Sequence, residues 1–159
     1  MMYVWMALFA AGIVAVDQLT KYLTVANIDL FQRVGAWDGV FHLTYVRNTG
    51  AAFSTFEGQQ WLFALIFVML TGFLLYEYFK KPMRFTKFER FCIAAIYGGG
   101  LGNMIDRLRQ GYVVDMIETT FMDFPVFNVA DCFICCGCVL MMAHLFLFNK
   151  PFWKDETKT

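Results

Sequence analysis

Charge is what this 159-residue chain has least of. Only 16% of its residues are Asp, Glu, Lys or Arg, against 59% from the hydrophobic set, where a soluble domain is about a quarter charged. The scarcity excludes an ordinary water-soluble domain and points into a bilayer. What charge exists is balanced, 13 basic against 13 acidic residues, so no nucleic-acid partner and no polyanionic substrate is indicated. Proline is down to three residues while phenylalanine reaches 19 and methionine 10, which excludes a disordered or low-complexity polypeptide. Histidine numbers two, His42 and His144, so a histidine-built metal centre has no material.

What is present is a set of apolar runs, at residues 1–16, 58–76, 91–105 and 132–149. A run of about 18 or more uncharged residues is a candidate for a spanning helix. The second and fourth qualify alone, and the first and third do so with the residues up to their acidic ends. The first run lacks the basic start and small-residue cleavage site of a removable leader and continues into Asp17, Gln18 and Lys21, so a permanent helix is expected. All three prolines fall outside the runs, as helix boundaries predict. Lys80, Lys81, Arg84, Lys87 and Arg90 crowd the link after the second run, and Lys150, Lys154 and Lys158 follow the fourth. The positive-inside rule makes both stretches cytoplasmic and puts the links at 22–56 and 107–125 outside.

Part of the first outer link alternates like a half-buried strand over residues 40–47, with Phe41, Leu43 and Tyr45 on one face. Asp38-Gly39 before it is a hairpin signal, with residues 31–34 placed to pair back. Phe53, Phe56 and Trp61 then suit a short interfacial helix. The expected fold is an all-α membrane protein of four transmembrane helices (about 3–24, 58–77, 89–108 and 127–148) with a small extracytoplasmic β-sheet (about 30–56 plus 111–118). It forms one domain over 1–159, with no internal repeat.

Ionisable residues beside spans cost several kcal/mol unless paired or hydrated, and here they gather at the outer side. Asp17 and Lys21, four apart, share a helix face and suit either a structural ion pair or a polar site. Asn103, Asp106 and Arg107 share another face, with Arg107 either binding a carbonyl or anchoring its span. Asp115 and Asp131 have no base within helical reach. Two such acids are tolerable as a proton-sharing dyad of the aspartic-protease kind; a proton relay or two unrelated surface acids remain open. Cys132, Cys135, Cys136 and Cys138 lie inside a span, with Cys92 elsewhere, and read as small buried hydrophobes rather than metal ligands. Gly98 and Gly102 fit close helix packing; the glycine run around them matches neither phosphate-binding pattern. No activated serine or cysteine nucleophile is evident.

With these residues the chain resembles the lipoprotein signal peptidase, or signal peptidase II, family over nearly its whole length. Asp17-Gln18-Leu19-Thr20-Lys21 resembles the family's D-Q-x-x-K box, and Asn48 to Ser54 its N-x-G-x-A-F-S box. Gly99 to Arg107 resembles G-G-x-x-G-N-x-x-D-R; Val113-Val114-Asp115 and Phe127-Asn128-Val129-Ala130-Asp131 resemble V-V-D and F-N-x-A-D. The resemblance implies an intramembrane aspartic endopeptidase that removes the signal peptide from diacylglyceryl-modified prolipoproteins, cutting before the lipid-modified cysteine. It implies Asp115 and Asp131 as catalytic, and Asn48, Arg107 and Asn128 as holding the substrate or the inhibitor globomycin. Asp17, Lys21, Asn103 and Asp106 are implied as supporting polar residues. Asp106 is a rival catalytic acid, ranked below Asp115 because adjacent Arg107 favours its permanent ionisation.

Two positions depart from the family pattern, Cys132 for a small serine or alanine and Met116 for a common phenylalanine. No cofactor and no metal are expected. The partners implied are a lipid-modified prolipoprotein and membrane lipid, with no nucleic acid, and a monomer is expected. The place implied is the bacterial cytoplasmic membrane, with both termini cytoplasmic and the site near the outer leaflet, where the sheet with Asn48 and Phe53 would clamp the substrate. The alternative is a small proton-coupled transporter using the same acids as a relay; the missing repeat and the one-sided placement of the acids count against it. A non-catalytic scaffold would leave the two acids unexplained.

Overall fold

The computed structural model describes residues 1–50, 56–79 and 85–149. Helix α1 (Met2–Asn27) leads into a hairpin of β1 (Arg33–Trp37) and β2 (Phe41–Asn48). Then follow α2 (Gln60–Phe79), α3 (Lys87–Gln110), β3 (Val113–Thr119) and α4 (Val129–Leu147). The protein is mostly helical, and α1, α2 and α4 are long and apolar enough to cross a membrane. Helix α3 is not in that set, because Glu89 and Arg90 stand near one end and Asp106, Arg107 and Arg109 near the other. Its 24 residues nevertheless extend about 36 Å at 1.5 Å per residue.

Burial is distributed inside out. Ile66, Val68, Met69 and Phe73 of α2 are exposed while Glu77 is buried, the pattern of a helix whose apolar sides face lipid rather than a protein core. Helix α3 holds the centre, with twelve buried residues against four on α1 and three on α4. Glycine permits that position. A Cβ at Gly98 would come within 3.0 Å of the Ala10 backbone, and one at Gly99 within 2.5 Å of the Ala130 carbonyl. The small residues therefore serve two close helix contacts, on α1 and on α4.

The sheet is antiparallel in the order β1-β2-β3. Its hairpin turns at residues 38–40, where Gly39 takes φ +76°, a conformation a side chain disfavours. Strand β2 departs from the expected alternation. A bulge between Leu43 and Val46 breaks the period of two, so Thr44 and Tyr45 are buried in succession while Phe41 and Leu43 are half-buried. The same pairing sets Val46 opposite Asp115 and Asn48 opposite Val113, and a bridge from Ile117 to Phe127 draws the start of α4 alongside β3. Phe53 of the expected interfacial helix lies outside the described residues, as do Lys80, Lys81, Arg84, Lys150, Lys154 and Lys158. Phe56, at φ +57°, belongs to the turn that precedes α2, and Trp61 already sits in its first turn.

A second polar centre lies at the other end of the helices, where the sequence pointed to a crowd of basic residues but not to a buried network. Arg90 Nη1 lies 3.1 Å from Glu77 and donates to the Tyr3 hydroxyl at 3.0 Å. Fully buried Glu89 closes the Thr86 capping box, lies 3.0 Å from His144 Nδ1 and accepts from Asn149 at 2.7 Å. Residues of α1, α2, α3 and α4 are thus fastened together there. The signal was present as the Thr86-x-x-Glu89 spacing; the partners lie far off in sequence.

Candidate active site

The site begins with a helix cap. Asn128 is the N-cap of α4, accepting the Asp131 N–H at 3.0 Å while Asp131 accepts the Asn128 N–H at 3.1 Å. This reciprocal box fixes Asp131 at the helix start and frees the Asn128 amide to reach across to β3. Asn128 Nδ2 donates to Asp115 Oδ1 at 2.7 Å, and Asn48 at the end of β2 donates to Asp115 Oδ2 at 2.8 Å. Asn103 of α3 links the two acids, donating to Asp131 Oδ1 at 2.8 Å and accepting from Asn128 at 3.0 Å. Neither aspartate forms an ion pair among the described residues. Amides supply the hydrogen bonds that burial demands without supplying charge.

Behind Asn103 lies a charged layer. Lys21 Nζ sits 2.8 Å from Asp17 and 3.1 Å from Asp106 and donates to Asn103 Oδ1 at 2.8 Å. Asp17 is fully buried and accepts the Ala130 N–H at 3.0 Å, and Asp106 accepts the Val114 N–H at 3.1 Å and Gln18 at 2.9 Å. The ionic partner of Asp106 is therefore Lys21, not adjacent Arg107. One turn of helix separates Asn103 from Arg107, and both line the same groove. Arg107 donates to the Gly50 carbonyl at 2.9 Å and lies over the Phe63 ring at 4.1 Å. Its Nε is buried with no partner among the described residues.

Asp115, Asp131, Asn48 and Arg107 line one groove of about 410 Å³, whose remaining wall is largely apolar, with Phe63, Phe67 and Ile134. Asp115 is 2% exposed. Its burial pushes the carboxyl up to about 7, with the nearby Asp131 charge acting in the same direction and the Asn48 and Asn128 amides opposing. A carboxyl that changes protonation near neutral pH, beside a second carboxyl in a groove, is suited to proton transfer.

Comparison with known proteins accords with this geometry. The family model for signal peptidase (SPase) II matches residues 9–147. The chain belongs to the signal peptidase II family. A lipoprotein signal peptidase of Streptococcus pyogenes serotype M1 is 40% identical over 144 residues, 91% of this chain and 90% of that protein. The lipoprotein signal peptidase of serotype M2 (strain MGAS10270) is similar to the same extent. Among solved structures, a bacterial membrane enzyme determined by the in meso method at 2.3 Å resolution superposes with a TM-score of 0.84 at 30% identity. It covers 97% of this chain and 93% of its own. A second, at 1.9 Å resolution, gives a TM-score of 0.80 at 31% identity over 90% and 93% of the two chains.

All nine residues singled out from the sequence come together in this signal peptidase II chain, in two connected layers. Asn48, Arg107, Asn128, Asp115 and Asp131 stand at or beside the groove, while Asp17, Lys21 and Asp106 stand behind Asn103. Three contributors were missed as site residues: Gln18, the Gly50 carbonyl and Phe63. Gln18 and Gly50 were within sight, inside the D-Q-x-x-K and N-x-G-x-A-F-S boxes; Phe63 gave no signal before folding. The cysteine reading needs correction. Cys92 is buried, but Cys135, Cys136 and Cys138 are exposed along α4, because only one face of α4 meets α3.

Proposed function

We infer that this signal peptidase II removes signal peptides from diacylglyceryl-modified prolipoproteins as an intramembrane aspartic endopeptidase, cutting just before the lipid-modified cysteine. The observation that carries the reading is a pair of carboxyls, Asp115 and Asp131, lining one largely apolar groove with amide partners and no ion pair among the described residues. A carboxyl near pKa 7 is about half protonated at neutral pH. Asp115 then polarises the scissile carbonyl as the acid while Asp131 takes a proton from the attacking water. The proton passes to the leaving amine as the tetrahedral intermediate collapses. Arg107, whose buried Nε has no partner among the described residues, has a donor left for a substrate carbonyl, and Asn48 and Asn128 hold Asp115 in place. Asp17, Lys21, Asn103 and Asp106 brace the layer behind the dyad.

The architecture suits a substrate that stays in lipid. In this reading one domain over 1–159 has four spanning helices, α3 among them, because its charged ends lie at opposite ends of a helix about 36 Å long. The basic residues following α2 and α4 place both termini in the cytoplasm of a bacterial cell. The sheet and the dyad then stand near the outer leaflet of the cytoplasmic membrane. Purified protein in detergent or liposomes is expected to cut a diacylglyceryl-modified prolipoprotein and to leave the unmodified precursor intact. Equal cleavage of both would contradict the reading.

A further inference from the structure

Two cavities meet at Asp115. One is the largely apolar groove already described. The other, of about 430 Å³, is walled by the end of β2, by β3 and by the segment ahead of α4. They share Asn48, Gly50, Asp115 and residues 124–126. Their remaining walls differ in chemistry. The first adds Phe63, Ile66, Phe67 and Leu70, and the second adds Arg47, Glu57, Glu118 and Asp123.

A polypeptide cut at Asp115 must leave that residue in two directions. On the endopeptidase reading, on which this inference rests, one product is an apolar signal segment and the other is a lipid-modified cysteine followed by a water-soluble chain. The apolar product matches the first cavity, so the second is left for the mature chain. The second cavity also has a sign. Arg47 contributes one positive charge, since its contacts, the Tyr45 hydroxyl at 2.9 Å and the Tyr112 ring centre at 4.9 Å, are neutral. Glu118 is closed off by Arg33 at 2.6 Å. Among the described residues Glu57 accepts from the neutral Thr49 hydroxyl alone, at 3.0 Å, and exposed Asp123 forms no ion pair. Negative charge is therefore in excess along this wall.

We propose that the polar cavity receives the residues that follow the lipid-modified cysteine in the mature chain and, through Glu57 and Asp123, favours cationic over anionic side chains there. The test uses three diacylglyceryl-modified prolipoproteins, identical except for Lys-Lys, Ser-Ser or Glu-Glu at the second and third positions after the lipid-modified cysteine. The wild-type kcat/KM is expected to be about 3- to 10-fold higher for the Lys-Lys than for the Glu-Glu substrate, the size of effect that partly solvated charges produce. The ratio should shrink as salt is raised and fall toward one in the Glu57→Gln/Asp123→Asn double variant. It should persist in Asp29→Asn, at the end of α1 and outside the cavity wall. Equal rates on the two charged substrates, or an undiminished ratio in the double variant, would overturn the proposal. Cleavage of none of the three by the wild type would overturn the endopeptidase reading and this proposal with it.

Discussion

Replacing Lys21 by methionine isolates what the charged layer contributes. Lys21 is 3% exposed and its ammonium lies between Asp17 and Asp106, which are 0% and 5% exposed. Methionine keeps the length and apolar stem but removes the charge, leaving two carboxylates in a site with little water. Removing one member of a buried pair costs about 3–5 kcal/mol, because the remaining charge is uncompensated. Set against a typical total of about 5–15 kcal/mol, that is a large fraction, equivalent to a Tm lower by on the order of 10 °C. Thermal unfolding of the detergent-solubilised protein reads it directly. The double variant Lys21→Met/Asp106→Asn removes one of the stranded charges and is expected to recover part of the loss, a coupling that a double-mutant cycle resolves. Asn103 loses the Lys21 donor but keeps Asn128, so the folded fraction of Lys21→Met should retain measurable turnover. A Tm within about 2 °C of the parent, less than about 1 kcal/mol on the same scale, would refute the claim that this layer is held by charge.

Two further outcomes follow from the geometry. On the proposed mechanism Asp115 acts protonated, and burial holds its carboxyl near 7, so kcat/KM is expected to fall on the alkaline side through about that pH. Loss of the Asn48 hydrogen bond, which favours the ionised form, should move that limb to higher pH in Asn48→Ala, and a pH–rate profile of the two proteins checks both. Gly102→Ala would place a methyl 2.5 Å from Asp17 Oδ2, well inside contact distance. The overpacking is expected to cost about 1–3 kcal/mol in unfolding experiments, whereas Gly12→Ala, with open space around it, should be nearly neutral.

Much of this site was legible before folding because its devices are local. Asp17 and Lys21 are one helical turn apart and were read from chain order alone; the Asn128–Asp131 capping box is equally local but went unread. The acids stood out because the chain has few charges to spend near a span. What could not be read was which distant group answers each one. Asp106 sits next to Arg107, yet its cation is Lys21, since the helix carries residues 106 and 107 about 100° apart around its axis. The Glu89 and Arg90 clasp went unread for the same reason, since its partners on α1, α2 and α4 meet only after packing. In β2 a bulge, invisible in the alternation of Phe41, Leu43 and Tyr45, decided which side chains are buried.

The central claim is that Asp115 and Asp131 act as a pair on one peptide bond. Purified Asp115→Asn and Asp131→Asn proteins, each shown to be folded by an unchanged circular dichroism spectrum, should be assayed on a diacylglyceryl-modified prolipoprotein, with product masses recorded. The account predicts that each substitution lowers the rate by about 10²- to 10⁴-fold, while the wild type releases a product that begins at the lipid-modified cysteine. Turnover near the wild-type rate in either folded variant would contradict it.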